Sequence, residues 1–142
     1  MKLVLDASAA LAWLVRRVDP REDQLADEML RCIMTQDAVV PALWFTEVAN
    51  GILVAERRSG VAASTSVSFL GMVNALPIVE DAKRPFEMHG TIPMLARAYK
   101  LTSYDATYLE LVLRTGRALA TFDHELANAA RSAGARVFGD AA

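Results

Sequence analysis

Four carboxylates stand where apolar chain passes into a helix. They are Asp6 in the run Leu-Val-Leu-Asp-Ala-Ser (3–8), Glu47 in Pro-Ala-Leu-Trp-Phe-Thr-Glu-Val-Ala-Asn (41–50), Asp105 in Ser-Tyr-Asp-Ala-Thr-Tyr (103–108) and Asp123 in Ala-Thr-Phe-Asp (120–123). A fold that gathers them forces like charges together, a repulsion relieved only by a cation or by raised pKa values. With no Cys or His beside them in sequence, such a cluster suits a hard, oxygen-seeking ion, Mg2+ or Mn2+. An ion of that kind activates water against a phosphodiester, so the four residues read as a metal-dependent site for a polyanionic substrate. Singly, each acid has a plainer explanation. Asp6 suits a turn, Asp105 a helix first turn, Asp123 an N-cap and Glu47 the exposed face of a helix.

Hydrophobic periodicity gives the elements that must position them. Lys2–Leu5 reads as a buried strand, followed by a helix that Ser8 caps and that runs to about Val15, where Asp19-Pro20 breaks the chain. Residues 22–35 form an amphipathic helix with Leu25, Met29, Cys32 and Ile33 on one face. Ala38–Val40 is a strand closed by Pro41, and Leu43–Arg58 a helix stopped at Gly60. On it Glu47, Asn50, Gly51 and Val54 share one stripe. A helix over 61–76, a minimal strand at Ile78-Val79 and a helix over 86–99 come next. A helix over 104–115 is capped by Ser103 and stopped by Gly116; a strand at 117–121, a helix at 123–132 and a strand at 136–138 complete the chain. Strands alternating with helices predict a three-layer α/β/α fold around a mainly parallel sheet, in one domain spanning 1–142. Ligands in such sheets gather outside the carboxyl ends of the strands, the rim on which all four acids fall.

Composition narrows the chemistry. Only His89, His124 and Cys32 are present, too few for a Cys/His zinc site, and His124 reads as a surface residue. No Gly-x-Ser-x-Gly elbow and no Gly-rich phosphate loop follows a strand. Removing the four acids from 17 leaves 13 against 15 bases, of which 12 are Arg. Arg16, Arg17, Arg57, Arg58, Arg114, Arg117, Arg131 and Arg136 are therefore candidates to flank the acidic centre and meet phosphate. The lone Cys32 fits a reducing, cytoplasmic compartment, and Asp6 comes too early for a signal-peptide core. No run of about 18 apolar residues exists, so no membrane span is expected. The uncharged stretch from Ser59 to Val79, in a chain 54% hydrophobic, is expected either to be buried or to form a homodimer surface.

The motifs Leu-Asp-Ala-Ser (5–8), Pro-x-Leu-x-x-x-Glu-Val-x-Asn (41–50), Ser-Tyr-Asp-Ala-x-Tyr-Leu-Glu-Leu (103–111) and Thr-x-Asp-x-x-Leu (121–126), in this order and spacing, resemble PIN-domain ribonucleases. They are most similar to the VapC-type toxins of bacterial toxin–antitoxin pairs. The resemblance implies a Mg2+-dependent endoribonuclease (Mn2+ may substitute) with Asp6, Glu47, Asp105 and Asp123 catalytic and Asp6 and Asp105 holding the principal ion. Ser8, Asn50 and Thr121 would support the acids by hydrogen bonding. It also implies an RNA substrate, a small VapB-type antitoxin and a homodimer. Expected antitoxin contacts are Trp13, Leu14, Trp44, Leu53 and the Leu25/Met29 face. Two alternatives remain open at this point: a non-catalytic PIN-like RNA-binding protein and a receiver-like signalling module.

Overall fold

A computed structural model describes residues 1–141. Four three-residue strands, β1 (Leu3–Leu5), β2 (Ala38–Val40), β3 (Ile78–Glu80) and β4 (Ala118–Ala120), form one sheet in the order β3-β2-β1-β4. Every pairing is parallel, with Leu3 opposite Ala38 and Ala118 and Val39 opposite Val79. β1 and β4 are buried along their whole length, because helices cover both faces; this is why their sequences read as unbroken apolar runs rather than as alternation.

The helices are α1 (Ala7–Leu11), α2 (Pro20–Thr35), α3 (Leu43–Arg58), α4 (Ala63–Asn74), α5 (Thr91–Tyr99), α6 (Ser103–Thr115) and α7 (His124–Ser132). β2 and α3 fall at their expected bounds. Elsewhere local chemistry moves the ends. Asp19-Pro20 begins α2 instead of merely ending the element before it: the Asp19 carboxylate accepts the Arg21 N–H at 2.9 Å, and Pro20 opens the helix where a missing N–H costs nothing. The helix expected over 86–99 divides into a 3-10 turn, Pro85–Met88, and α5. The strand expected at 136–138 is reduced to one bridge, Val137 to Leu119.

Two caps differ from expectation. Ser8 does not cap α1, since its hydroxyl is held by Asp6. Thr102, not Ser103, caps α6, its hydroxyl accepting the Asp105 N–H at 3.1 Å. Trp44 and Met29 belong to the core, which removes them from any partner surface. Trp13 is half-buried, its indole N–H donating to the Ala26 carbonyl. Leu53 is exposed. Cys32 is half-buried, with its thiol on the Met1 carbonyl.

The uncharged stretch is divided by α4. Ser66, Phe69 and Val73 face inward, while Val67, Leu70 and Met72 stay exposed. Among the described residues no helix is long and apolar enough to cross a membrane.

The cap assignment has a direct test in urea unfolding. Thr102→Ala should lower stability by about 1 kcal/mol, whereas Ser103→Ala should stay within roughly 0.5 kcal/mol of the parent. The reverse ranking would restore Ser103 as the cap.

Candidate active site

β1 delivers Asp6 directly. Its N–H is tied to the Ala120 carbonyl of β4 at 3.0 Å, so the residue leaves the sheet at a fixed point. The carboxylate is only 6% exposed and is held by two hydroxyls, Ser8 Oγ at 2.6 Å and Thr121 Oγ1 at 2.7 Å, both donating to Oδ2. Each hydroxyl in turn accepts a backbone N–H, Ser8 from Phe122 and Thr121 from Asp123. Those N–H donors leave the hydroxyl protons to point at Asp6, so the pair supports an anion. Burial pushes the Asp6 pKa up, the two hydroxyls pull it down, and the nearby Asp123 charge pushes it up again.

Asp123 ends the β4 segment and caps α7, its Oδ1 accepting the Leu126 N–H at 2.9 Å. The cap reading and a place in the site are compatible, because a cap occupies one oxygen of two. Glu47 sits on the second turn of α3, where Tyr108 of α6 donates its hydroxyl to Oε1 at 2.5 Å. Tyr108 is wholly buried, and its pKa is raised by burial and by Asp6 and Glu47, so it stays a neutral donor. Asp105 lies in the first turn of α6, and among the described residues no donor reaches its carboxylate. Burial and the charges of Asp123, Asp6, Glu47 and Glu125 raise its pKa to about 6. Glu47 is also raised, by burial and by Asp6 and against the Tyr108 bond.

All four acids line one open cleft of about 510 Å³, with Ser8, Thr46, Asn50 and Tyr104 on its walls. Gly51 on α3 permits that arrangement. A Cβ there would fall 2.2 Å from Leu11 Cδ1, so any other residue would require the Leu11 side chain on α1 to turn away. Asn50 lines the cleft but makes no hydrogen bond to the acids among the described residues. Of the eight Arg expected to flank the centre, five are ion-paired, while Arg57, Arg58 and Arg136 have no acid partner among the described residues. Arg16 is paired with Asp23, Arg17 with Glu22, Arg114 with Asp81 and Glu110, Arg117 with Asp37 and Arg131 with Asp140. Tyr108 is the contributor that sequence reasoning passed over. Its position one helical turn after Asp105 was the available signal.

The PIN domain family matches residues 3–132. The chain belongs to that family. PIN domains are commonly nucleases, and membership displaces the receiver-like alternative. Among solved structures, PAE2754 from Pyrobaculum aerophilum is similar over 91% of this chain and 84% of its own, with 22% sequence identity and a TM-score of 0.64. FitAcB from Neisseria gonorrhoeae is similar over 98% and 97%, with 16% identity and a TM-score of 0.61. At these identities the likeness is one of fold. No curated protein matches the chain in sequence.

PIN domains typically use divalent metal ions. The donor set of this cleft fits such an ion by chemistry: oxygen donors without Cys or imidazole, mutually destabilised as anions. It does not form a finished cage, for among the described residues no three His, Cys, Asp or Glu side chains group closely enough to hold a metal. Side-chain rotation of the half-buried Glu47, Asp105 and Asp123 toward the fixed Asp6 would be needed to close one.

These shifts set a pH dependence. A carboxyl whose folded pKa lies above its unfolded value stabilises the fold at low pH and loses that contribution as pH rises through the folded pKa. For Asp105 the window runs from about 3.8 to about 6. The melting temperature of EDTA-treated Asp105→Asn should therefore rise relative to that of the EDTA-treated parent across that window, and a difference that does not change with pH would contradict the assignment.

Proposed function

We propose that the protein is a metal-dependent endoribonuclease, the toxin of a toxin–antitoxin pair. The reading is carried by the convergence of four carboxylates, three of them with raised pKa values, on one open cleft of a PIN domain. Asp6 and Asp105 would hold the principal ion, Asp123 would complete or share a second position through the oxygen its cap leaves unused, and Glu47 would orient a ligand or water. A bound Mg2+ or Mn2+ supplies a water of lowered pKa and neutralises charge on the phosphoryl oxygens. Ser8 and Thr121 fix Asp6 so that its geometry costs no reorganisation when substrate arrives. Tyr108 does the same for Glu47. Products with a 5′-phosphate and a 3′-hydroxyl follow from the family resemblance. RNA binding without cleavage is the second reading, favoured by the unclosed donor set.

Purified protein should cleave RNA in Mg2+ or Mn2+ and lose activity in EDTA. Asp6→Asn and Asp105→Asn should each reduce kcat at least about 100-fold, since metal-assisted charge stabilisation amounts to several kcal/mol. Full activity of either variant would reject the site. Binding of RNA with no cleavage under any divalent ion would leave the second reading.

The toxin role implies a cytoplasmic protein with two protein interfaces. The exposed Val67, Leu70 and Met72 of α4 are our candidate for a homodimer face, and the groove lined by Leu11, Leu14, Val15, Val54, Arg16 and Arg17 our candidate for the antitoxin. That groove adjoins the acidic cleft, the two sharing Ser8, Leu11 and Gly51 as walls. Expression alone should arrest growth, and co-expression with an adjacent small reading frame should restore it and yield a stable complex. Harmless expression without a complex would reject the toxin role and leave the nuclease.

A further inference from the structure

A second pocket lies beside the acidic cleft. It holds about 260 Å³ between the start of α3, the 3-10 turn, α5 and the first turns of α6. Its apolar surface comes from Pro41, Leu43, Pro85, Met88 and Ile92. Leu43 and Tyr104 line both pocket and cleft, so the two hollows are neighbours across a shared wall. Tyr104 immediately precedes Asp105 and is 61% exposed. Among the described residues its phenol has no hydrogen-bond partner, and its ring is free to face an occupant.

The two charged residues that line the pocket, Asp81 and Lys83, belong to a charge-balanced cluster that extends behind it to Arg114 and Glu110. Arg114 grips Asp81 through both terminal nitrogens and Glu110 through Nε at 2.7 Å, and Lys83 Nζ stands 3.8 Å from Glu110. Two acids thus offset two bases, and Glu110 is buried with its charge paired. The same Arg114 lies 3.9 Å from the Met88 sulfur, which fixes that side of the wall. A phosphate gains nothing from such a surface. A flat neutral group does, since apolar walls take its faces while the Lys83 ammonium can donate to its polar edge and the Thr107 hydroxyl, its proton on the Ser103 carbonyl, can accept from it.

We infer that this pocket receives one unstacked base of a single-stranded RNA next to the scissile phosphate, with Tyr104 as its stacking platform. The inference rests on the ribonuclease reading of the neighbouring cleft: whatever fills the pocket must be joined to what reacts across the Leu43–Tyr104 wall. RNA read in single-stranded form offers bases splayed out for aromatic stacking. The site therefore selects substrates with an unpaired nucleotide at one fixed position from the cleaved bond.

The test uses short oligoribonucleotides with an abasic residue, or 2-aminopurine, at successive positions around the cleaved bond. Cleavage is followed with the wild-type protein and binding with Asp6→Asn. One abasic position should raise KM and weaken binding roughly tenfold while leaving kcat nearly unchanged. Tyr104→Ala should show that same loss on intact RNA and no further loss on the abasic oligomer, Tyr104→Phe should behave as wild type, and Ile92→Trp should exclude the base. A flat abasic scan, or losses that simply multiply in Tyr104→Ala, would overturn the pocket while leaving the nuclease. Unchanged RNA handling by Ile92→Trp would also overturn it and leave the pocket to a side chain of a protein partner. Base-dependent binding without cleavage supports the pocket and rejects the ribonuclease, whereas neither binding nor cleavage rejects both.

Discussion

A carboxylate held almost entirely out of water at the end of a central strand is the constraint on which the rest of this molecule turns. Asp6 follows three residues of β1 that are wholly buried, and its own backbone is bonded to β4. A charge in that position is tolerable only where hydrogen-bond donors are brought to it. Ser8 and Thr121, 113 residues apart in the chain, are both drawn to the same oxygen, and the β4–α7 turn is locked to α1 as a consequence. Satisfying Asp6 thus also fixes where Asp123 leaves the sheet.

The other acids are set around this fixed point by helices packed into the core, with half-buried side chains that reach the cleft. Glu47 and Asp105 stand on helices, half-buried, one held by the Tyr108 hydroxyl and the other by no donor among the described residues. A buried Asp6 ringed by these partners makes a site whose charge repulsion a cation would relieve. Five Arg side chains are kept out of this balance by acids elsewhere. Arg17 is further held over the Phe122 ring at 4.9 Å.

Fold class and the common rim of the acids were legible because both follow from periodicity and topology. Short apolar runs ending at Asp or Pro can only be buried parallel strands here, and α3 carries its own boundaries in Pro41 and Gly60. What could not be read depended on choices among equivalent local partners. Ser8 and Ser103 are good cap residues, yet one is taken by a carboxylate from its own turn and the other is preceded by Thr102, which is better placed. Trp44 resembles an interface anchor in sequence, but helix phase turns it into the core, edge-to-face with the exposed Phe45. The ion pairs that occupy the Arg side chains join residues up to 80 positions apart, a separation no local pattern encodes. The pocket beside the cleft is of the same kind, since it needs α3, the 3-10 turn, α5 and α6 assembled before it exists.

The central claim is that mutual repulsion among these carboxylates is resolved by a shared divalent ion. Calorimetric titration with Mn2+ at pH 6, in two buffers of different ionisation enthalpy, tests it without reference to RNA. Because Asp105 titrates at about 6, binding should release roughly half a proton from that residue, and Asp105→Asn should bind more weakly and release less. Absence of Mn2+ binding, or identical affinity and proton release in Asp105→Asn, would contradict the account.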